Sequence, residues 1–163
     1  MTDRPIELRY DVRADDPESV RRLVESSGAF SPVEVEVAVE LVEDRLRRGP
    51  QSDYQFVFAE LGGRTVAYAC YGPIPLTAAG FDLYWIVVEK SLHGRKIGKA
   101  LLEKTEELVR QAGGRRIYVE TSSRKEYSPA RGFYLRCGYR QEALLKDFYA
   151  PGDDKVIFLK DAL

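Results

Sequence analysis

Phe81-Asp82-Leu83-Tyr84-Trp85-Ile86-Val87-Val88 leads, through Glu89-Lys90, into Ser91-Leu92-His93-Gly94-Arg95-Lys96-Ile97-Gly98-Lys99-Ala100-Leu101-Leu102. The first stretch is a nearly continuous apolar run, the pattern of a central buried strand. In the second, Ile97, Leu101 and Leu108 fall on one face of a helix spanning about residues 95–111, which Gly113-Gly114 ends. A glycine-containing turn that opens a helix presents free backbone N–H groups and favours a phosphate or pyrophosphate. Arg95, Lys96 and Lys99 fall in the first turn of that helix, at the positive end of its dipole. Exposed cations there cost about 0.3–1 kcal/mol each, and a bound polyanion reverses the sign. The plainer alternative is a solvated helix start whose cations point away. A Walker A loop is excluded, because three residues separate Gly94 from Gly98 and Ala100 follows Lys99. The dinucleotide fingerprint G-x-G-x-x-G is absent as well.

Upstream of this stretch, residues 6–12 alternate like a strand. Asp16-Pro17-Glu18 starts a helix with Val20, Leu23 and Val24 on one face and Gly28 near its stop. Val33, Val35, Val37 and Val39 alternate like a strand, while Val35, Val39, Val42 and Leu46 fit a helical stripe. Ser31-Pro32-Val33-Glu34 supplies a capping box with proline at the first helical position, and the segment is long for a strand, so it is read as helix. Residues 54–61 and 64–71 flank Gly62-Gly63 as a hairpin, and a loop follows to about Gly80. Downstream, residues 116–121 read as a short strand and 129–136 as a short helix stopped by Gly138. Residues 139–149 and 155–159 read as two strands joined through Pro151-Gly152-Asp153. The expected order is strand, two helices, three strands, helix, strand, helix, two strands, an α/β layout with a mixed sheet.

The 163 residues fit one domain, 1–163, with 25 basic side chains against 26 acidic ones. That balance gives no whole-chain basic field for nucleic acid or an anionic membrane. No apolar stretch approaches the roughly 20 residues that span a bilayer. Met-Thr-Asp-Arg-Pro at the start lacks a secretory pattern. With Cys70, Cys137 and His93 as the only cysteines and histidine, neither a disulfide scaffold nor a Cys/His metal site is expected. A cytoplasmic setting with reduced thiols is the expectation.

Residues 88–102 resemble the acetyl-CoA-binding motif of the GNAT superfamily of N-acetyltransferases, whose core is Gln/Arg-x-x-Gly-x-Gly/Ala. Gly94, Ile97, Gly98, Ala100 and Leu101 match; His93 takes the Gln/Arg position and Lys96 the first glycine. The second departure asks whether Lys96 adopts a backbone shape that glycine makes easy. Ala130-Arg131-Gly132-Phe133-Tyr134-Leu135-Arg136-Cys137-Gly138-Tyr139 resembles the superfamily's other signature, Ala-x-x-Phe-Tyr, three residues, then Gly-Phe. Tyr139 replaces its last aromatic, and Tyr127 stands where many relatives have asparagine.

The resemblance implies a mixed, mostly antiparallel central sheet flanked by helices, with the coenzyme in a gap between the fourth and fifth strands. It implies acetyl-CoA as co-substrate, no metal, and contacts from Val87, Val88, His93, Gly94, Arg95, Lys96, Ile97, Gly98, Lys99 and Tyr134. His93 is a loop or ligand-contact residue in this reading rather than a catalyst. The implied reaction is attack of a neutral amine on the thioester. Backbone N–H near Val87–Val88 then holds the oxyanion, and Tyr134 protonates the leaving thiolate. For Tyr134 alone, a core aromatic on a short helix is the competing reading. Asp82 and Glu120 are the candidate bases, expected on opposite walls of the gap, each otherwise an ordinary strand-end charge. Cys137 reads as a small buried residue. The implied acceptor is a primary amine of a small molecule or amino acid. A protein amine, or a non-catalytic acyl-CoA-binding module, is the alternative, and a homodimer is an open assembly state.

Overall fold

A computed structural model describes residues 4–161 and 163. The expectation about a leader segment involves Met1, Thr2 and Asp3, which lie outside the described residues. The elements are β1 (Glu7–Arg9), α1 (Asp16–Ser27), α2 (Pro32–Arg48), β2 (Gln55–Leu61), β3 (Arg64–Pro73), β4 (Gly80–Val88), α3 (Ile97–Gln111), β5 (Arg116–Ser122), α4 (Ser128–Arg136), β6 (Arg140–Ala150) and β7 (Asp153–Asp161). Apart from short 3-10 turns, this is the expected order. The sheet has the order β1-β2-β3-β4-β5-β7-β6. The pairs β1–β2, β2–β3, β5–β7 and β6–β7 are antiparallel, and β4–β5 is parallel. The sheet is therefore mixed and mostly antiparallel, as the resemblance implied.

The chain forms two compact units. One runs to Gly72 and includes Trp85–Thr105; the other holds Pro73–Tyr84 and Glu106–Leu163. In the first, Val20, Leu23 and Val24 of α1 and Val35, Ala38, Val39 and Val42 of α2 share a buried cluster with Phe56, Phe58, Tyr68, Cys70 and Val87. Burying a valine or leucine side chain contributes about 1.5–3 kcal/mol, and in α2 only the helical stripe achieves it. Val33 and Val37, on the competing strand pattern, are exposed. Ser31 and Glu34 form the expected capping box. Leu46 departs from the stripe: the helix carries it past the cluster, and it is 40% exposed. The first strand is shorter than expected, because β1 pairs with β2 only over Glu7–Arg9. Arg9 is buried there, bonded to Asp16 and Glu60, which satisfies a charge that would otherwise be costly to bury.

In the second unit, β5 lies between the first half of β4 and β7, and its two faces differ. Ile117 and Val119 point to one face, where Val156 and Phe158 of β7, Val109 of α3 and Tyr134 of α4 are also buried. Val109, rather than the expected Leu108, is the fully buried residue of this helical turn. Lys160 Nζ bonds the Glu106 carboxylate and the Cys137 carbonyl, fixing the end of α4. Tyr118 and Glu120 point to the other face. β6 is the outer strand of the sheet and is exposed along nearly all its length.

One expectation about β4 is corrected. It is central in strand order, yet only Gly80, Leu83 and Val87 are buried. Asp82 and Tyr84 alternate onto one face, where Asp82 is half-buried and Tyr84 is 37% exposed.

Candidate functional site

In the first unit, the chain leaves β4 at Val88, turns at Lys90–Leu92, and enters α3 at Ile97. Glu89 anchors the turn. Its N–H donates to the Val66 carbonyl at 2.9 Å, and its carboxylate takes Arg64 at 2.8 Å, Arg22 at 3.4 Å and the Ser91 hydroxyl at 2.9 Å. Burial pulls the Glu89 carboxyl upward, but Ser91 and the two arginines outweigh it and hold it below its ordinary range. His93 closes the loop from the other side: its Nε2–H donates to the Val88 carbonyl at 2.9 Å. The side chain thus braces the strand end, the loop role read from the sequence. Val87 is buried in the apolar cluster, so only its backbone can reach a ligand.

Gly94 has φ 84° and Lys96 φ 62°. The left-handed region is free for glycine and costs another residue about 1–2 kcal/mol. Lys96 therefore adopts the backbone shape of the glycine it replaces in the motif. That conformation corrects the helix start. A left-handed residue cannot belong to a right-handed helix, so α3 begins at Ile97, and Arg95 and Lys96 lie in the turn before it rather than in its first turn. The Ala100 N–H bonds back to the Lys96 carbonyl at 3.1 Å. The N–H groups of Ile97, Gly98 and Lys99 come before that bond, where a helix has no internal acceptor to offer. Around them, His93, Gly94, Arg95, Lys96 and Lys99 are exposed, while Ile97 is buried and anchors the turn. Lys99 lies 3.8 Å from Glu103 one turn on. The result is a ring of N–H donors and cations suited to a polyanion.

The first unit also holds a polar recess of about 300 Å³ lined by Arg9, Arg13, Arg22, Glu60, Arg64 and Thr65 among others. None of the residues expected from the sequence lines it, and those four arginines are paired with Asp16, Glu60, Asp11 or Glu89.

In the second unit, the parallel ladder sets Asp82 opposite Tyr118, which puts Asp82 and Glu120 on one face of adjacent strands. The two walls expected are the strands β4 and β5 themselves; a side-chain period of two returns Glu120 to the face of Tyr118, so the carboxylates stand on adjacent strands and point to the same side of the sheet. β7 brings Lys155 to the same face, opposite Ser122 in register. Lys155 Nζ is 2.8 Å from Glu120 Oε2 and lies 3.8 Å from the centroid of the Phe148 ring and 5.8 Å from that of Tyr149. Among the described residues no hydrogen bond or ion pair reaches the Asp82 carboxylate. Burial first, and the Glu120 charge second, push it up to about 6, with Lys155 opposing them. A carboxylate poised near neutrality is suited to accept a proton.

Tyr134 packs on the opposite face, its ring centroid 5.7 Å from Phe158, 5.9 Å from Tyr139 and 5.5 Å from Phe133. Burial drives its phenol pKa well upward, with a smaller push from Cys137, so the proton is retained at working pH. Cys137 is half-buried, and its sulfur is in no disulfide among the described residues. Sequence reasoning missed Lys155, Phe148 and Glu89. Lys155 and Phe148 gain their roles from partners on other strands, and Glu89 is held mainly by Arg22 of α1 and Arg64 of β3, far from it in sequence.

The comparisons agree with this geometry. The model of the acetyltransferase (GNAT) family matches residues 21–139. An uncharacterized N-acetyltransferase of Methanocaldococcus jannaschii is 30% identical over 105 residues, 64% of this chain and 65% of that protein. A crystal structure assigned to the GNAT acetyltransferases, from Desulfovibrio desulfuricans, is 43% identical with a TM-score of 0.95, covering 98% of this chain and all of the other. The PaiA N-acetyltransferase of Thermoplasma acidophilum, solved in complex with coenzyme A, shares the fold at 19% identity, with a TM-score of 0.75 over 96% of this chain and 99% of that one. Motif, loop geometry and whole-chain likeness converge: the chain belongs to the GNAT family of acetyltransferases.

Proposed function

We propose that the chain transfers the acetyl group of acetyl-CoA to a primary amine of a small molecule or amino acid, with residues 1–163 acting as one acetyltransferase domain. The observation that supports this most is the loop before α3, where left-handed Lys96 and Gly94 open a helix on N–H groups ringed by cations. Coenzyme A in the complex of the Thermoplasma relative supports the same ligand class. In this reading the backbone of Ile97–Lys99, with Arg95, Lys96 and Lys99, holds the pyrophosphate, and backbone N–H at Val87–Val88 receives the oxyanion.

An ammonium must lose a proton before its nitrogen can attack the thioester carbon. Asp82, unpaired and raised to about 6, takes that proton directly or through a water. Glu120, already bonded to Lys155, is a poorer acceptor. As the carbon–sulfur bond breaks, Tyr134 gives its proton to the thiolate, and the second proton shed by the acylated nitrogen returns the phenolate to phenol through solvent. The products are the N-acetyl amine, free coenzyme A and one proton. A cytoplasmic setting belongs to the same proposal.

The test is a panel of small amines, amino acids and peptides incubated with acetyl-CoA and followed by release of free thiol. Turnover with a small amine is expected. Turnover confined to peptides would move the acceptor class to protein amines. Coenzyme binding without turnover on any amine would favour a non-catalytic acyl-CoA-binding module.

A further inference from the structure

Two carboxylates share a face at the second unit's sheet, and one cation stands beside them. That cation is not evenly placed. Lys155 Nζ is 2.8 Å from Glu120, and the side chain is 13% exposed against 50% for Glu120. Its position is fixed from the other side as well, because the ammonium lies 3.8 Å from the Phe148 ring centroid. A cation held over an aromatic face is bound by the ring quadrupole in addition to its ion pair. Phe148 and Tyr149 themselves stack edge-on at 5.1 Å, and both are about half exposed. The other titratable or charged groups on this face are Tyr84 on β4, Arg116 and Tyr118 on β5, and Asp153 and Asp161 on β7.

We propose that Lys155 is a positioning residue that assigns the two carboxylates their roles: clamped between Glu120 and Phe148, it commits Glu120 to an ion pair and leaves Asp82 as the carboxylate open to the acceptor's proton. The inference rests on the reading of Asp82 as the base. A strand-end lysine that merely ties the β6–β7 hairpin to β5 would make the same contacts without setting the state of Asp82.

The two roles separate by sign. Glu120 pushes the Asp82 carboxyl upward and Lys155 pulls it down. Lys155→Met keeps the aliphatic stem, removes the cation and frees the Glu120 charge, so Asp82 should titrate higher. Glu120→Gln removes the repelling charge and releases Lys155 toward Asp82, so Asp82 should titrate lower. Lys155→Arg should stay near wild type.

The experiment is carbon-13 NMR of the aspartate carboxyls in the full chain, with Asp82 identified by the resonance lost in Asp82→Asn. The acid limb of the rate is followed in parallel with the best amine of the panel. Opposite shifts in Lys155→Met and Glu120→Gln, tracked by the acid limb, support the proposal. Unmoved midpoints, or shifts in the same direction, overturn it. If Lys155→Met does not fold, the downward shift in Glu120→Gln decides alone. An acid limb lost in Asp82→Asn but unmoved in Lys155→Met overturns the proposal and leaves Asp82 as base. An acid limb that persists in Asp82→Asn overturns both.

Discussion

The loop from Val88 to Lys99 and the charged face of Asp82, Glu120 and Lys155 are built in opposite ways. The loop is one contiguous stretch, braced by contacts such as His93 to the Val88 carbonyl, five residues apart. The face draws on three strands, and residues 82, 120 and 155 meet only because β4–β5 and β5–β7 pair in one register. A local site writes its chemistry into spacing. A register-built site writes it into which residues happen to stand opposite one another, and a one-residue slip would turn every side chain to the other face. The first kind of site can be read from sequence and the second only from the fold.

The sharpest way to break this contrast is to remove basicity at the register-built face. Asp82→Asn should lower kcat/KM at neutral pH by about 10²–10⁴-fold, the range for a lost general base, with partial recovery at high pH where the free amine is abundant. Wild-type kcat/KM should fall as pH drops through about 6, where Asp82 protonates, and Glu120→Asn should lose less. A pH–rate profile in which Glu120→Asn, not Asp82→Asn, loses the acidic limb would exchange the two roles.

Tyr134→Phe comes next. A proton donor to the leaving thiolate acts after binding, so kcat should drop about 10–10³-fold while coenzyme affinity barely changes. Wild-type kcat in a folded variant would return Tyr134 to the aromatic packing around Phe158.

A smaller effect lies in stability. A carboxyl raised in the folded state above its unfolded value weakens the fold wherever it is ionised. The penalty is full above about pH 6 and gone below about pH 4. Solvent screening of a half-buried group cuts the full shift, so Asp82→Asn should stabilise the protein by about 1–2 kcal/mol at pH 7 and by little at pH 4, while it inactivates. Thermal melts at the two pH values check this, and equal or lower stability at pH 7 would contradict the cause assigned to the shift. Least of all, Lys96→Gly should relieve the left-handed strain and add about 1 kcal/mol, a rise of about 2–4 °C in Tm. A lower Tm would mean that Lys96 has compensating contacts.

The same contrast explains what was legible in the chain. The element order and the capping box at Ser31–Glu34 rest on local spacing, and the structure keeps them; the turn before α3, read from the same kind of spacing, presents exposed cations at a helix start. Leu46 fails because a stripe continues in sequence after the layer it packs against has ended. The burial of β4 was overestimated because an apolar run does not reveal how far each of its residues is covered. The helix start shifted by two residues because Lys96 conceals a glycine conformation. Asp82 and Glu120 stand out as candidates in the sequence, but their shared face and the cation paired with Glu120 depend on pairing partners far along the chain.

Acetyl-CoA binding at the loop is the claim on which the rest depends, and isothermal calorimetry tests it most directly. Titrated into the wild-type chain at low and at high salt, acetyl-CoA should bind with micromolar Kd, about −8 kcal/mol, and more weakly at high salt, because Arg95, Lys96 and Lys99 act partly through screened charge. No heat and no thermal shift with millimolar acetyl-CoA would contradict the account.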